Sequence, residues 1–240
     1  EENVVRSIEV IDQAVLFVRH EVLQEGMDID LDHIRSTVLR NNPLFNLIGI
    51  ADASGQVINV TGRRPASPIS VADREHFQVH RGATSDTLFI GAPMIGRING
   101  RWSLQFSRAI REPGGRLTGV VVVAVDPFQL SAYYHSLDLG AGGITDLIGI
   151  DGIVRARVDS GPGAQTTFRT EAGDVAIVDQ ARAAPLGRFW QEDRDGGRRL
   201  VSYRRLASHP LVVAVGMHED VVLARFRDDR IFDSVIAIAV

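Results

Sequence analysis

The chemistry in this sequence concentrates in one short stretch, Asp73-Arg74-Glu75-His76-Phe77, with His80 close behind. A guanidinium near a helix start, where free backbone N–H groups also favour negative charge, suits a carboxylate held through two parallel hydrogen bonds. The same Arg74 is equally able to pair with Asp73 or Glu75 on a solvated first turn, worth only about 0–1 kcal/mol. His76 and His80 are four apart and on a helix would share a face, as zinc-binding pairs do. Glu75 precedes His76, however, so the His-Glu-x-x-His order of metalloproteases is absent, and the sequence fixes no third ligand. Neither a metal nor a cofactor is expected. An imidazole facing an acid would make affinity depend on pH near neutrality. Downstream, alternation places Gln105 and Ser107 on one face of a strand and Trp102, Leu104, Phe106 and Arg108 on the other, leaving open which face meets a ligand. Asp126 stands before Pro127 at a strand-to-helix junction, where an N-cap followed by proline at the first helical position accounts for it.

Catalytic arrangements are lacking. There is no Gly-x-Ser-x-Gly elbow, no phosphate-binding loop and, without any cysteine, no thiol nucleophile or disulfide. Gly140-Ala-Gly-Gly143 and Gly161-Pro-Gly163 lack the strand-then-helix setting of a dinucleotide loop and read as turns. The neighbouring pairs Glu219-Asp220 and Asp228-Asp229 point different ways on a helix and read as a solvated face. No catalytic residue is assigned. A net charge of -4, with both signs scattered, offers no basic stripe, so nucleic acid is not an expected partner.

The elements that must position these residues form a repeat. The 240 residues, 45% apolar and 23% charged, fit two domains of roughly 100 residues each. Leu47-Ile-Gly-Ile50 returns unchanged as Leu147-Ile-Gly-Ile150, each copy followed by a turn (Ala51–Gly55, Asp151-Gly152) and a second strand (Gln56–Val60, Ile153–Val158). Ser103–Ile110 with Gly119–Val125 is echoed by Leu200–Leu206 with Leu211–Val215. Each half thus runs hairpin, connecting segment, hairpin, and the expected class is α+β with mainly antiparallel sheets flanked by helices. The connecting segments differ. Ser70-Val-Ala-Asp73 has a capping-box pattern opening a helix that bears Arg74, His76 and His80, whereas Thr170–Ala184 is plainer, so binding is expected in the first half. Ahead of both halves, Val4, Ile8, Ile11, Val15, Val18 and Val22 step by four and three, the seam of a long helix, and a homodimer through Val4, Ile8, Ile11, Val15 and Val18 is expected. Val235–Val240 is an apolar run of the character that begins a membrane span, which with a span before Glu1 would anchor the chain on both sides.

Asp73-Arg74-Glu75-His76-Phe77, Gly91-Ala-Pro93, Ser107-Arg108-Ala-Ile110 and Gly119–Asp126 together resemble the double-Cache sensor domains of bacterial histidine kinases, diguanylate cyclases and chemoreceptors. The resemblance covers almost the whole chain. It implies a long N-terminal helix and connector (1–42), a membrane-distal PAS-like ligand-binding lobe (43–137), a membrane-proximal PAS-like lobe (138–217) and an exit helix (218–240) leading to a transmembrane span. It implies a periplasmic segment of an inner-membrane protein, with a small-molecule ligand and a cytoplasmic output. A non-signalling solute-binding or adhesion module is the alternative of another class. In amino-acid-binding members, an arginine matching Arg74 holds the ligand carboxylate and an aspartate matching Asp126 holds the amino group. This sequence departs from that pattern. His76 stands in place of a tryptophan, Phe77 of a tyrosine and Met94 of another tyrosine, so the resemblance implies a small carboxylate rather than specifically an amino acid. The ligand set is Arg74, His76, Phe77, Met94, Gln105, Ser107 and Asp126.

Overall fold

The computed structural model describes residues 2–224 apart from 84, 133, 135–136, 138, 162–164, 174 and 193–196. The expected membrane-entering run Val235–Val240 and most of the exit helix lie outside the described residues; helical backbone begins at 219. Among the described residues no helix is long and apolar enough to cross a membrane. The chain divides into two compact units, Glu1–Leu130 and Ser131–Val240.

The first unit opens with α1 (Glu2–Glu25), α2 (Leu31–His33) and a π-helical turn (Ile34–Val38). Its sheet is built from β1 (Phe45–Asp52), β2 (Val57–Val60), β3 (Phe89–Ile90), β4 (Met94–Ile95), β5 (Trp102–Arg111) and β6 (Leu117–Val125). The strand order is β2-β1-β6-β5-β3, with β4 also paired to β5 and every pairing antiparallel. The valine-rich β6 is central and buried on both faces, which is why its sequence is continuously apolar and does not alternate. One face packs against α1, which lies on β5 and β6. The other carries α3 (Glu75–Arg81), whose Phe77 is fully buried with Ala51, Val71, Val120 and Val122. Pro127–Ser131 forms the short α4.

The apolar seam of α1 is spent inside the chain. Ile8, Ile11, Val15 and Val18 are completely buried and Val4 nearly so, each contributing about 1.5–3 kcal/mol by leaving water. This corrects the expectation that the seam pairs with a second copy: those five side chains are not available to one. Polar anchors fix the packing. Asp12 on α1 accepts two hydrogen bonds from the Arg108 guanidinium on β5, at 2.7 and 2.8 Å, and Arg19 donates to Asp86 at 2.6 Å.

The second unit repeats the plan with β7 (Ile144–Gly149), β8 (Val154–Asp159), β9 (Thr166–Thr167), α5 (Val175–Ala183), β10 (Leu186–Glu192), β11 (Arg198–Arg205) and β12 (Leu211–His218), in the order β10-β11-β12-β7-β8-β9. Ile177, Val178 and Ala181 of α5 pack on Ile148, Val201, Tyr203 and Val212. The duplication is real, but the Leu-Ile-Gly-Ile identity is three residues out of structural register. The first hairpin turns at Asp52–Gly55, where Gly55 N–H donates to the Asp52 carbonyl; the second turns at Gly149–Gly152 with the same bond. Ile148 therefore occupies the place of Ala51, each opposite the inner valine of the neighbouring strand, Val212 and Val120. An odd offset exchanges the faces of a strand, so the repeated letters bury opposite sides.

Candidate functional site

The first sheet and the segment before α3 enclose a cavity of about 50 Å3. Its floor is the α3-side face of three strands: Gly49 and Ala51 on β1, Val122 and Ala124 on β6, Ser103 and Gln105 on β5. Arg74 and His76 close one side, and Met94 with the turn that follows it, through Arg97 and Asn99, closes another.

The approach to Arg74 is set by the β1–β2 turn. Asp52 closes that turn by accepting from the Ser54 N–H, the Ser54 hydroxyl and the Gln56 N–H at 2.9, 2.6 and 3.0 Å. Gly55 sits at φ +88°, and a Cβ there would lie 2.7 Å from Ala72. Its carbonyl accepts from Val71 N–H at 2.7 Å, so turn and pre-helical segment are in direct contact. The Ser70–Asp73 pattern makes this turn instead of capping a helix, which corrects the capping-box expectation. The Ser70 hydroxyl accepts from Ala72 N–H at 3.2 Å, and the helix opens later, with Arg74 itself in the N-cap position at φ −84°, ψ 139°. The far end of α3 is held by Arg111, whose guanidinium donates to the carbonyls of His80 and Ala83 at 2.6 and 2.5 Å.

Two arginines line the cavity and differ in their pairing. Arg97 donates to both Asp73 carboxylate oxygens, at 2.5 and 2.6 Å, and to the Ser70 carbonyl at 2.7 Å. Through that bond Arg97 pulls the Asp73 carboxyl down to about 2, and Asp73 stays ionised at any working pH. Arg74 is half-buried and makes no side-chain hydrogen bond or ion pair with the described residues. His76, only 6% exposed, has no side-chain partner either, and burial first, then the charges of Arg74, His80 and Arg97, hold its pKa at about 4. It is neutral at pH 7 and offers one donor and one acceptor.

Of the sequence-derived set, Arg74, His76, Met94 and Gln105 meet at the cavity. Phe77, Ser107 and Asp126 do not line it. Phe77 turns into the core, and Asp126 caps α4 by accepting from Phe128 N–H at 2.9 Å. Ser107 shares the Gln105 face of β5 but lies behind α3, where its hydroxyl donates to the His76 carbonyl at 2.8 Å. That proton being used, His80 Nε2 at 2.9 Å must donate to Ser107, which fixes the His80 tautomer. His76 and His80 thus have different surroundings, and among the described residues no group of three His, Asp or Glu side chains is placed to hold a metal ion. Asn99 and Ser103 were missed. Ser103 was within reach of the alternation argument, two before Gln105, whose amide donates to its hydroxyl at 2.8 Å.

The equivalent place in the second unit is occupied by its own side chains. Register puts Asp146, Val201 and Tyr203 where Gly49, Gln105 and Ser107 stand in the first. Asp146 is fully buried and accepts two hydrogen bonds of 2.6 Å from Arg157 across the β7–β8 pair.

Solved structures similar to this chain include sensor domains. The extracellular domain assigned to a histidine kinase, rpHK1S-Z16, is 28% identical with a TM-score of 0.71, the match covering 92% of this chain and 89% of that one. The ligand-binding domain of the Pseudomonas aeruginosa PAO1 amino acid chemoreceptor PctB, in complex with L-Gln, is 16% identical with a TM-score of 0.66 and coverage of 98% and 93%. That of the Pseudomonas fluorescens chemoreceptor CtaA, in complex with L-isoleucine, is 14% identical with a TM-score of 0.63 and coverage of 93% and 90%. No protein-family model matches the sequence, and no curated protein does. Fold and neighbours define the class, a two-lobed ligand-binding sensor domain. Within that class the chain has the double-Cache architecture.

Proposed function

We propose that the chain is the periplasmic sensing segment of an inner-membrane signalling protein, that it binds a small carboxylate in its first unit, and that it signals to a cytoplasmic output such as a histidine kinase. One observation carries the ligand reading. Arg74 is a half-buried cation lining the cavity that makes no side-chain hydrogen bond or ion pair with the described residues, while the neighbouring Arg97 is held bidentately by Asp73. Asp73 acts on Arg74 through space but is held by Arg97, which leaves the Arg74 guanidinium donors to bind a carboxylate through two parallel hydrogen bonds. His76 and Gln105 supply neutral hydrogen-bonding groups beside it, and Met94 supplies apolar wall. Phe77, Ser107 and Asp126 act as supports, Ser107 by holding the His76 carbonyl. In this reading residues 43–137 are the membrane-distal lobe and 138–217 the membrane-proximal one. The kinase output follows the 28% identical neighbour; a chemoreceptor output is the second reading, favoured by the PctB and CtaA domains.

Thermal-shift screening with organic and amino acids tests the pocket. Acids raise the melting temperature of the parent and not of Arg74→Ala. No stabilisation by any acid, or equal stabilisation of both proteins, would sink the assignment.

A further inference from the structure

Resting on the carboxylate reading of Arg74, we infer that the ligand is a small, largely aliphatic carboxylate without an α-ammonium group. Three observations define this class. First, size: the cavity is small, about 50 Å3, which suits a small acid. Second, charge: among the described residues no aspartate or glutamate lines the cavity. Asp73, next to Arg74 in the chain, is held bidentately by Arg97, and Asp126 is spent on capping α4. An ammonium group entering here would lose its hydration, find no carboxylate and stand beside two guanidinium groups. Third, polarity: beside these polar groups the wall carries Leu47, Val57, Val71, Met94, Ile95 and Val122, which suits an aliphatic tail.

The amino-acid-bound chemoreceptor domains share this fold, so the fold does not decide between an amino acid and its deaminated counterpart. The lining does. His76 and Gln105 can hydrogen-bond a carboxylate oxygen or a small hydroxyl or keto substituent, but as neutral groups they do not compensate an ammonium.

The test is calorimetric titration of the 240-residue chain at pH 7 with acetate, propionate and butyrate, each against its amino counterpart glycine, alanine or 2-aminobutyrate. At least one monocarboxylate is expected to bind, its amino counterpart at least ten-fold more weakly, and Arg74→Ala is expected to weaken it about 10- to 100-fold. Arg74→Lys keeps the charge and recovers part of that loss. Equal or tighter binding of an amino acid with the same Arg74 dependence overturns this inference and leaves the carboxylate pocket standing. Binding that ignores Arg74→Ala, or no acid binding at all, overturns both.

Discussion

Arg74 and Arg97 share a cavity but differ in their pairing, and substitution is expected to separate them. Arg97→Ala removes a charge already neutralised by Asp73, so it is expected to weaken acid binding less than five-fold, against about 10- to 100-fold for Arg74→Ala. Isothermal titration of the two variants side by side checks the order, and the reverse order would make Arg97 the anion ligand. The histidines give the site an acid-sensitive stability. Burial and neighbouring cations hold both His76 and His80 at about 4, below the 6.5 of the unfolded chain. Between those values the unfolded state binds more protons, so stability is full above about pH 6.5 and falls as pH drops toward 4. The slope is at most about 1.4 kcal/mol per pH unit per histidine. Urea unfolding from pH 7 to 5 should show the loss, and His80→Asn should flatten it; an unchanged slope would refute the assignment. At this scale the sequence revealed Arg74 and His76, because charged and imidazole side chains announce themselves. It did not separate Phe77 from them, since one helical step of about 100° turns a neighbour from cavity to core.

Elements decide whether those residues arrive. Gly55 is required twice over, by its left-handed backbone and by the Ala72 atoms 2.7 Å from any Cβ. Gly55→Ala is expected to cost about 2 kcal/mol or more and to weaken acid binding by shifting the segment that ends in Arg74. Chemical denaturation with a parallel titration measures both, and a stable variant with parental affinity would free the turn from the site. On the opposite face, Asp12→Ala strips Arg108 of its bidentate partner while Asp86 still accepts from it at 3.0 Å. The bridge is neither exposed nor fully buried, with side chains 11% and 18% accessible. A loss of about 2 kcal/mol is expected, between the 0–1 of a surface pair and the 3–5 of a fully buried one. Strands such as β5, β6, β11 and β12 were legible because they are long and apolar or alternate. The two-residue strands β3 and β4, which bring Met94 to the cavity, carry too few residues for any period. The seam of α1 was visible, but a stripe of valine and isoleucine reads the same whether its partner is a sheet or another helix.

At the scale of the molecule, two units of one plan have diverged in what fills the space under the helix. In the first, Gly49 and Ala51 leave room beneath Arg74 and His76. In the second, Asp146 stands at the position of Gly49, Tyr203 at that of Ser107, and the Asp146–Arg157 pair is held through two bonds of 2.6 Å. The sequence repeat concealed this, since aligning the two Leu-Ile-Gly-Ile segments sets Gly149 opposite Gly49 and hides Asp146 three residues earlier. Register came only from the hydrogen-bonded turns. A ligand should therefore be felt in one unit. Hydrogen exchange of the 240-residue chain at saturating acid is expected to slow for β1, β5, β6 and α3 and to stay unchanged for β7, β11, β12 and α5. Asp146→Ala leaves Arg157 without its buried carboxylate and should destabilise the second unit by about 3–5 kcal/mol while leaving acid affinity within two-fold of the parent. Protection that appears in the second sheet with equal amplitude, or acid binding abolished by Asp146→Ala in protein whose first unit remains folded by exchange, would place a ligand site in the second unit as well.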